Sequence, residues 1–330
     1  MTGRLLAGLG VLTVLLGLLG LCLGSTGWIW LWHEGTDPVI LWELRMPRTA
    51  GAWLAGGLLG LVGAIAQGLF RNPLADPYLL GSASGASLGV AAVLAVGGTA
   101  GAEAMAAGSW LLRLGLTGAA FLGAIAAVLL TLVLAQGLAH TLRLLLAGVI
   151  VGVVLGAVTS LLGLAVPAIA PALQAFMVGS TGLLGWTSVT LLALVLSSGL
   201  TVAILLGPWL DALSLGEETA TSLGLPVTLL RSVMLAILAL GTGTVVAQAG
   251  LIAFVGLAAP HAVRAATRLT HRPLLLASSL MGGVLLLGAD LLSRWLLAPQ
   301  ELPVGILTAC LGGGYLLWWM QRQGQGGQVA

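Results

Sequence analysis

Lysine is absent from this 330-residue chain; its twelve basic residues are all arginine. Without lysine there is no Gly-Lys-Ser/Thr step to grip nucleotide phosphates and no Schiff-base chemistry. The chain therefore cannot use ATP by itself in the P-loop manner. Charge of any kind is scarce, at 7% of residues, against about 25% in ordinary soluble domains. So little charge cannot clothe a soluble domain, and the accompanying hydrophobicity excludes disorder. A net charge of +2 with no basic stripe excludes nucleic acid as a natural partner. The two cysteines, Cys22 and Cys310, sit inside apolar runs and read as small apolar side chains, not a disulfide or metal pair. The four histidines, His33, His140, His261 and His271, show no metal-ligand spacing. His33 among tryptophans could touch haem, but a solvated interfacial histidine is the blander reading. No nucleophile–base arrangement stands out, so no enzyme and no resident metal are expected.

What is present is apolar. Hydrophobic residues make up 59% of the chain, mean hydropathy is +1.12, and there are 50 glycines. A spanning helix takes about 20 apolar residues, and breaks fall where charge, proline and glycine cluster. The pattern predicts spans over 4–24, 48–69, 82–97, 114–138, 142–164, 186–207, 226–241, 246–260, 274–297 and 303–321. The expected fold is all-α: one polytopic membrane domain over 1–330 with about ten transmembrane helices. Arg4 before the Leu5–Leu23 run mimics a signal peptide, but the run is too long and lacks an Ala-x-Ala site, so a first membrane helix is expected.

An even number of spans places both termini on one side. With that side inside, Arg4, Arg71, Arg143, Arg231, Arg264, Arg268, Arg272 and Arg322 lie inside. Arg45, Arg48, Arg113 and Arg294 lie outside, so the positive-inside rule makes both termini cytoplasmic. On this map Trp28, Trp30, Trp32, Trp42, Trp53, Trp110, Trp186 and Trp295 fall near the outer interface, and Trp209, Trp318 and Trp319 near the inner one. Indole rings favour that zone. Glycines at three- and four-residue spacing, Gly56-Gly57, Gly60, Gly63 and Gly148, Gly152, Gly156, read as close helix packing, with hinges or a cavity wall as the alternative. Span centres hold almost no ionisable group, which disfavours ion-coupled transport, though sodium sites built from backbone oxygens would escape that test.

Three polar constellations remain. The inner loop Gln67–Pro77, with two prolines and the Gly81–Gly85 run behind it, reads as a re-entry turn or a constriction at the cytoplasmic mouth. The inner segment 208–226 reads as a short amphipathic helix bearing Asp211, Glu217 and Glu218, with Leu213, Leu215, Ala220 and Leu223 on one apolar face. It is either a solvated connector or a docking knob for a soluble partner. At the outer side, Asp290 and Arg294 form an i,i+4 ion pair by default. Only Glu43 lies near Arg45 and Arg48, which leaves at least one arginine to grip an external carboxylate.

These segments resemble a known family. They are Leu44-Arg45-Met46-Pro47-Arg48, Gln67–Pro77 with Gly81–Gly85, Leu145–Val149, Leu215–Glu218 through Pro226, Gly250–Leu257 with Pro260-His261, Ala289-Asp290 and Glu301–Gly305. Together they are similar to the permease subunits of bacterial ABC importers for vitamin B12, haem and ferric siderophores, with Met46 where Leu or Ile is usual. The resemblance implies a homodimer in the lipid of the inner membrane, with its path on the two-fold axis. It also implies two cytoplasmic ATPase subunits, which use ATP and Mg, and a periplasmic binding protein above. This chain would itself bind no cofactor. Arg45, Arg48 and Arg294 would dock the binding protein. Gly216, Glu217, Glu218, Ala220, Leu223 and Gly224 would couple to the ATPase, and Asn72, Leu74, Thr141 and Leu142 would form the cytoplasmic gate. Pro167–Ser180 would be a short helix near the outer mouth. Haem or a ferric siderophore is the expected cargo, with cobalamin next. The alternatives are an ion-coupled secondary transporter of a small hydrophobic or chelated solute, and a membrane anchor or scaffold.

Overall fold

The computed structural model describes residues 2–24, 27–28, 38–106, 110–135 and 141–326, with side chains given except at 28, 98–106, 110–114, 141, 318–320 and 322–326. The expectations for Trp30, Trp32, His33 and His140 lie outside the described residues, as do those for the side chains of Trp28, Trp110, Arg113, Thr141, Trp318, Trp319 and Arg322.

The apolar runs fold as helices α1 (Thr2–Cys22), α2 (Met46–Leu69), α3 (Ser82–Ala106), α4 (Trp110–Leu134), α5 (Thr141–Ala165), α6 (Ala170–Met177), α7 (Trp186–Leu205), α8 (Gly207–Ser214), α9 (Glu217–Ser222), α10 (Val227–Ala249), α11 (Val255–Ala266), α12 (His271–Trp295) and α13 (Val304–Gly326). A π-helical turn, Ile40–Arg45, leads into α2, and Leu23–Gly24 pairs antiparallel with Gly27–Trp28. The architecture of the described residues is otherwise all-helical. Among the described residues seven helices are long and apolar enough to cross a membrane: Thr2–Cys22, Ile40–Leu69, Gly115–Leu134, Leu142–Ala165, Trp186–Leu205, Val227–Ala249 and His271–Trp295. The described parts of α3 and α13, and the Pro167–Met177 segment, are shorter apolar helices.

One predicted boundary is wrong. The break expected between 241 and 246 is absent, because α10 runs unbroken to Ala249. Gly241 and Gly243 do not interrupt it; their bare faces pack on Val62 and Ala124 of neighbouring helices. The chain breaks instead at Gly250 and Phe254, both with positive φ, at 72° and 68°. The free backbone there is satisfied from the end of α6 and the segment after it: Leu251 N donates to Phe176 O at 3.3 Å and Ser180 N to Ala249 O at 2.8 Å. An unpaired amide at membrane depth costs several kcal/mol, so such bonds are what make a break tolerable.

α2 is the central strut, buried along nearly its whole length from Thr49. It runs antiparallel to α12, since Arg48 meets Asp290 at one end and Gly68 meets His271 at the other. A β-carbon on Gly56 or Gly60 would strike the carbonyls of Gly282 or Ser278, and one on Gly63 would strike Gly256 of α11. Small residues thus bring the backbones close where lipid provides no hydrophobic drive between helices. The packing reading holds for this stripe. On α5 it holds only in part: Gly148 lies against Leu79, but Gly156 faces open space. α5 is mostly uncovered, with Leu146, Val149, Val153, Leu161 and Leu164 exposed.

Candidate functional site

Charge collects at the two ends of the α2–α12 strut. At the first end Asp290, wholly buried, is the hub. Arg48 donates to its Oδ1 through Nε at 3.1 Å and Nη2 at 3.0 Å, and the Thr181 hydroxyl donates to the same oxygen at 2.6 Å. Arg294 pairs with the other oxygen, and its Nη1 also donates to Gly20 O at 3.0 Å and Leu23 O at 3.3 Å. Arg48 Nη1 completes the cluster on the Glu301 carboxylate at 2.8 Å. Two guanidinium groups and two carboxylates cancel. Arg45 stands apart, donating to the carbonyls of Leu21 at 3.0 Å, Cys22 at 2.6 Å and Gly27 at 3.3 Å, so that it closes the last turn of α1.

The predicted i,i+4 pair is present, and Arg45 and Arg48, of which at least one was expected to be open, both have partners within the chain. Arg45 and Arg294 are buried, at 6% and 1% exposure; both terminal nitrogens of each serve acceptors within the chain, while Arg294 Nε has none among the described residues. Arg48 and Glu301 form the accessible part, with side chains 13% and 32% exposed. Thr181 and Glu301 are members of the cluster that residue spacing does not reveal. Trp186 Nε1 donates to Trp42 O at 3.0 Å beside them, with the two rings 5.1 Å apart.

At the second end the segment 208–226 folds as two short helices, not one. Pro208 opens α8. Gly216, at φ 124°, turns the chain into α9, and Gly224, at φ 76°, ends it. The expected single apolar face is divided: Leu213 and Ala220 are buried, while Leu215 and Leu223 are 72% and 63% exposed. Glu218 is exposed with them. Glu217 instead turns back to α10, where Arg231 grips both its oxygens at 3.0 and 2.8 Å. Asp211 caps α12, accepting from His271 N at 3.0 Å and facing His271 Nδ1 at 2.6 Å.

The loop after α2 lies at this same end. Asn72 Oδ1 accepts from Leu74 N at 2.9 Å, and Asp76 accepts from Tyr78 N at 2.8 Å to cap the turn Pro77–Leu80. Burial pushes the Asp76 carboxyl up, and that hydrogen bond partly offsets it. Leu74 and Leu142 are 48% and 80% exposed. Among the described residues no group of His, Cys, Asp or Glu is arranged to hold a metal ion.

A glycine-packed bundle of long apolar helices, with the paired charges of its described residues at the two ends of the α2–α12 strut, is a multi-pass membrane protein. Residues 12–322 match the FecCD transport family, and the chain belongs to that family. It is 36% identical over 324 residues to the vitamin B12 import system permease protein BtuC of Salmonella paratyphi A, covering 97% of this chain and 95% of that one. It is 35% identical over 328 residues to the BtuC of Escherichia coli O127:H6, covering 98% and 96%. Its fold is similar to a solved metal-chelate type ABC transporter in an inward-facing conformation, with a TM-score of 0.84 and 27% identity over 97% of this chain and 99% of that one.

Proposed function

We propose that this chain is the permease subunit of an ATP-driven importer that carries a metal chelate across the bacterial inner membrane, with cobalamin as the first cargo to test. The observation that carries this reading is the near end-to-end match to permeases named for vitamin B12 import. It reverses the expected order, in which haem or a ferric siderophore came first. ATP hydrolysis falls to separate cytoplasmic ATPase subunits, since a lysine-free chain has no Walker A loop. The uncovered apolar face of α5 suits a second copy of the chain, with the path between them.

The Arg48 end would face the periplasm and meet the binding protein. An incoming carboxylate could replace Glu301 on Arg48 without disturbing the core. Docking at Arg45 or Arg294 would require release of backbone carbonyls first, so they act chiefly as the frame that holds Arg48. The exposed Leu215, Glu218 and Leu223 would enter the ATPase, with Gly216, Glu217, Ala220 and Gly224 shaping that knob. Asn72, Leu74, Thr141 and Leu142 would form the cytoplasmic gate.

The test is reconstitution of the full chain with its ATPase and binding protein in proteoliposomes. ATP-dependent uptake of cyanocobalamin above that of haem and ferric siderophores is expected. Uptake by the chain alone under an ion gradient, without nucleotide, would overturn the reading.

A further inference from the structure

The second end holds an opening whose two arginines, Arg71 and Arg264, have no part in the transport reading, although Asn72 of the proposed gate also lines it. A cavity of about 270 Å³ lies between the end of α2, the end of α8, the end of α11 and the start of α12. Its polar lining comprises Gln67, Arg71, Asn72, Ser214, Arg264 and His271. No carboxylate lines it. Asp211, in contact with the lining residue His271, is bound to it. Arg264 is half-buried and donates to the Gln67 side-chain oxygen, a neutral partner. Arg71 has no acceptor among the described residues. Each guanidinium offers five N–H donors in a planar fork. Two positive charges therefore line one cavity with most of their donors unused.

The backbone adds a second, independent observation. Arg71 sits at φ 49° in the left-handed region, where an L side chain is strained. Its amide donates to Gly68 O at 3.3 Å and the Asn72 amide to Gln67 O at 3.2 Å, the double closure that ends a helix. Glycine is the residue that such a position favours. An arginine there keeps the strain and gains a cation at the cavity wall, and strain of this kind clusters at binding sites. A purely electrostatic complement to the C-terminal ends of α2 and α11 would need the cations but not a shared cavity.

We propose that this cavity is a binding site for a phosphate group, held in the fork of Arg71 and Arg264 with Asn72 and Ser214 as further polar contacts. A phosphate with two or three free oxygens accepts the paired N–H donors of guanidinium better than a halide does. The phosphate comes either from the headgroup of an anionic phospholipid, since the cavity lies at the end of the bundle, or from free phosphate in the aqueous phase.

Two arms separate these sources, both on the purified full chain in detergent. In the first, native mass spectrometry after reconstitution with phosphatidylglycerol reads lipid retained per chain. In the second, delipidated protein is titrated with inorganic phosphate, with chloride as control, and followed by thermal shift. Saturable retention or a saturable shift is expected in one arm. Arg71→Gln should weaken that response on the order of tenfold, and Arg71→Lys by less, because a point charge keeps attraction but loses the fork. Arg71 is exposed and bonds to no other described side chain, so this variant does not depend on folding in the way that Arg264→Gln does. Wild-type protein that responds in neither arm, or Arg71→Gln that behaves as wild type, overturns the proposal.

Discussion

The two ends of the α2–α12 strut treat charge in opposite ways. At one, Arg48 and Arg294 converge on buried Asp290, and Glu301 and Thr181 take up what remains. At the other, Arg71 and Arg264 line an open cavity, while the nearby acids Asp211 and Glu217 are engaged by His271 and Arg231. A buried charge must be paired or it costs several kcal/mol, so the first end is a closed circuit that fixes geometry. A cation in a partly wet cavity is less costly and stays available to a ligand. The difference separates a clasp that holds the bundle from a surface that can bind and respond.

The sharpest way to break the comparison is to open the clasp. Asp290→Asn keeps the shape and removes the charge, leaving two guanidinium groups facing each other in a dry site. A loss of about 3–5 kcal/mol is expected, the usual cost of orphaning a buried ion. Chemical denaturation in detergent would show it. Unchanged stability would mean that water reaches the cluster.

Next in size is the strut itself. Gly63→Ala would drive a methyl into the Gly256 backbone, and backbone cannot step aside as a side chain can. Overpacking of this sort costs about 1–3 kcal/mol. The same change at Gly156 on α5 meets nothing and should be neutral within about 0.5 kcal/mol. Arg45→Gln should cost about 1–2 kcal/mol through the lost α1 carbonyl bonds, whereas Arg71→Gln at the open end should leave stability unaltered. Equal effects at Arg45 and Arg71 would erase the contrast between the ends.

Much of the helical plan was legible in the residues, because apolar length and Pro/Gly breaks act locally. The Asp290–Arg294 pair, four residues apart, was legible for the same reason. Its partners were not: Arg48 and Glu301 lie 242 and 253 positions from the groups they meet, and periodicity carries no such information. Only Glu43 was legible near Arg45 and Arg48, because the carbonyls of Leu21 and Cys22 and the carboxylates of Asp290 and Glu301 reach them through the fold. The break after α10 was misplaced because Gly241 and Gly243 read as punctuation, whereas they are contact points. Leu213 and Leu215 are two positions apart on the helical turn of α8 and its C-cap, so they point to opposite sides, and the expected single face failed on spacing that the sequence already carried.

The smallest stability effect belongs to Glu217, and it tests whether the second end transmits as well as binds. The Arg231 side of the pair is buried, at 6% exposure, and the Glu217 side is 42% exposed. Water screens such a pair, so Glu217→Gln should cost under about 1 kcal/mol. Geometry gives the pair another role: its two parallel bonds tie the first turn of α9 to α10, and α10 packs through Gly241 on Val62 of the central strut. If α8–α9 is the knob that the ATPase pushes, a loosened tie lets α9 move without α10. ATP-dependent uptake should then fall severalfold while ATP hydrolysis by the assembled complex persists, and the exchanged pair Glu217→Arg with Arg231→Glu should recover part of the uptake. Uptake and hydrolysis falling together would place the defect in assembly, and the tie would then be a clasp of the same kind as Asp290.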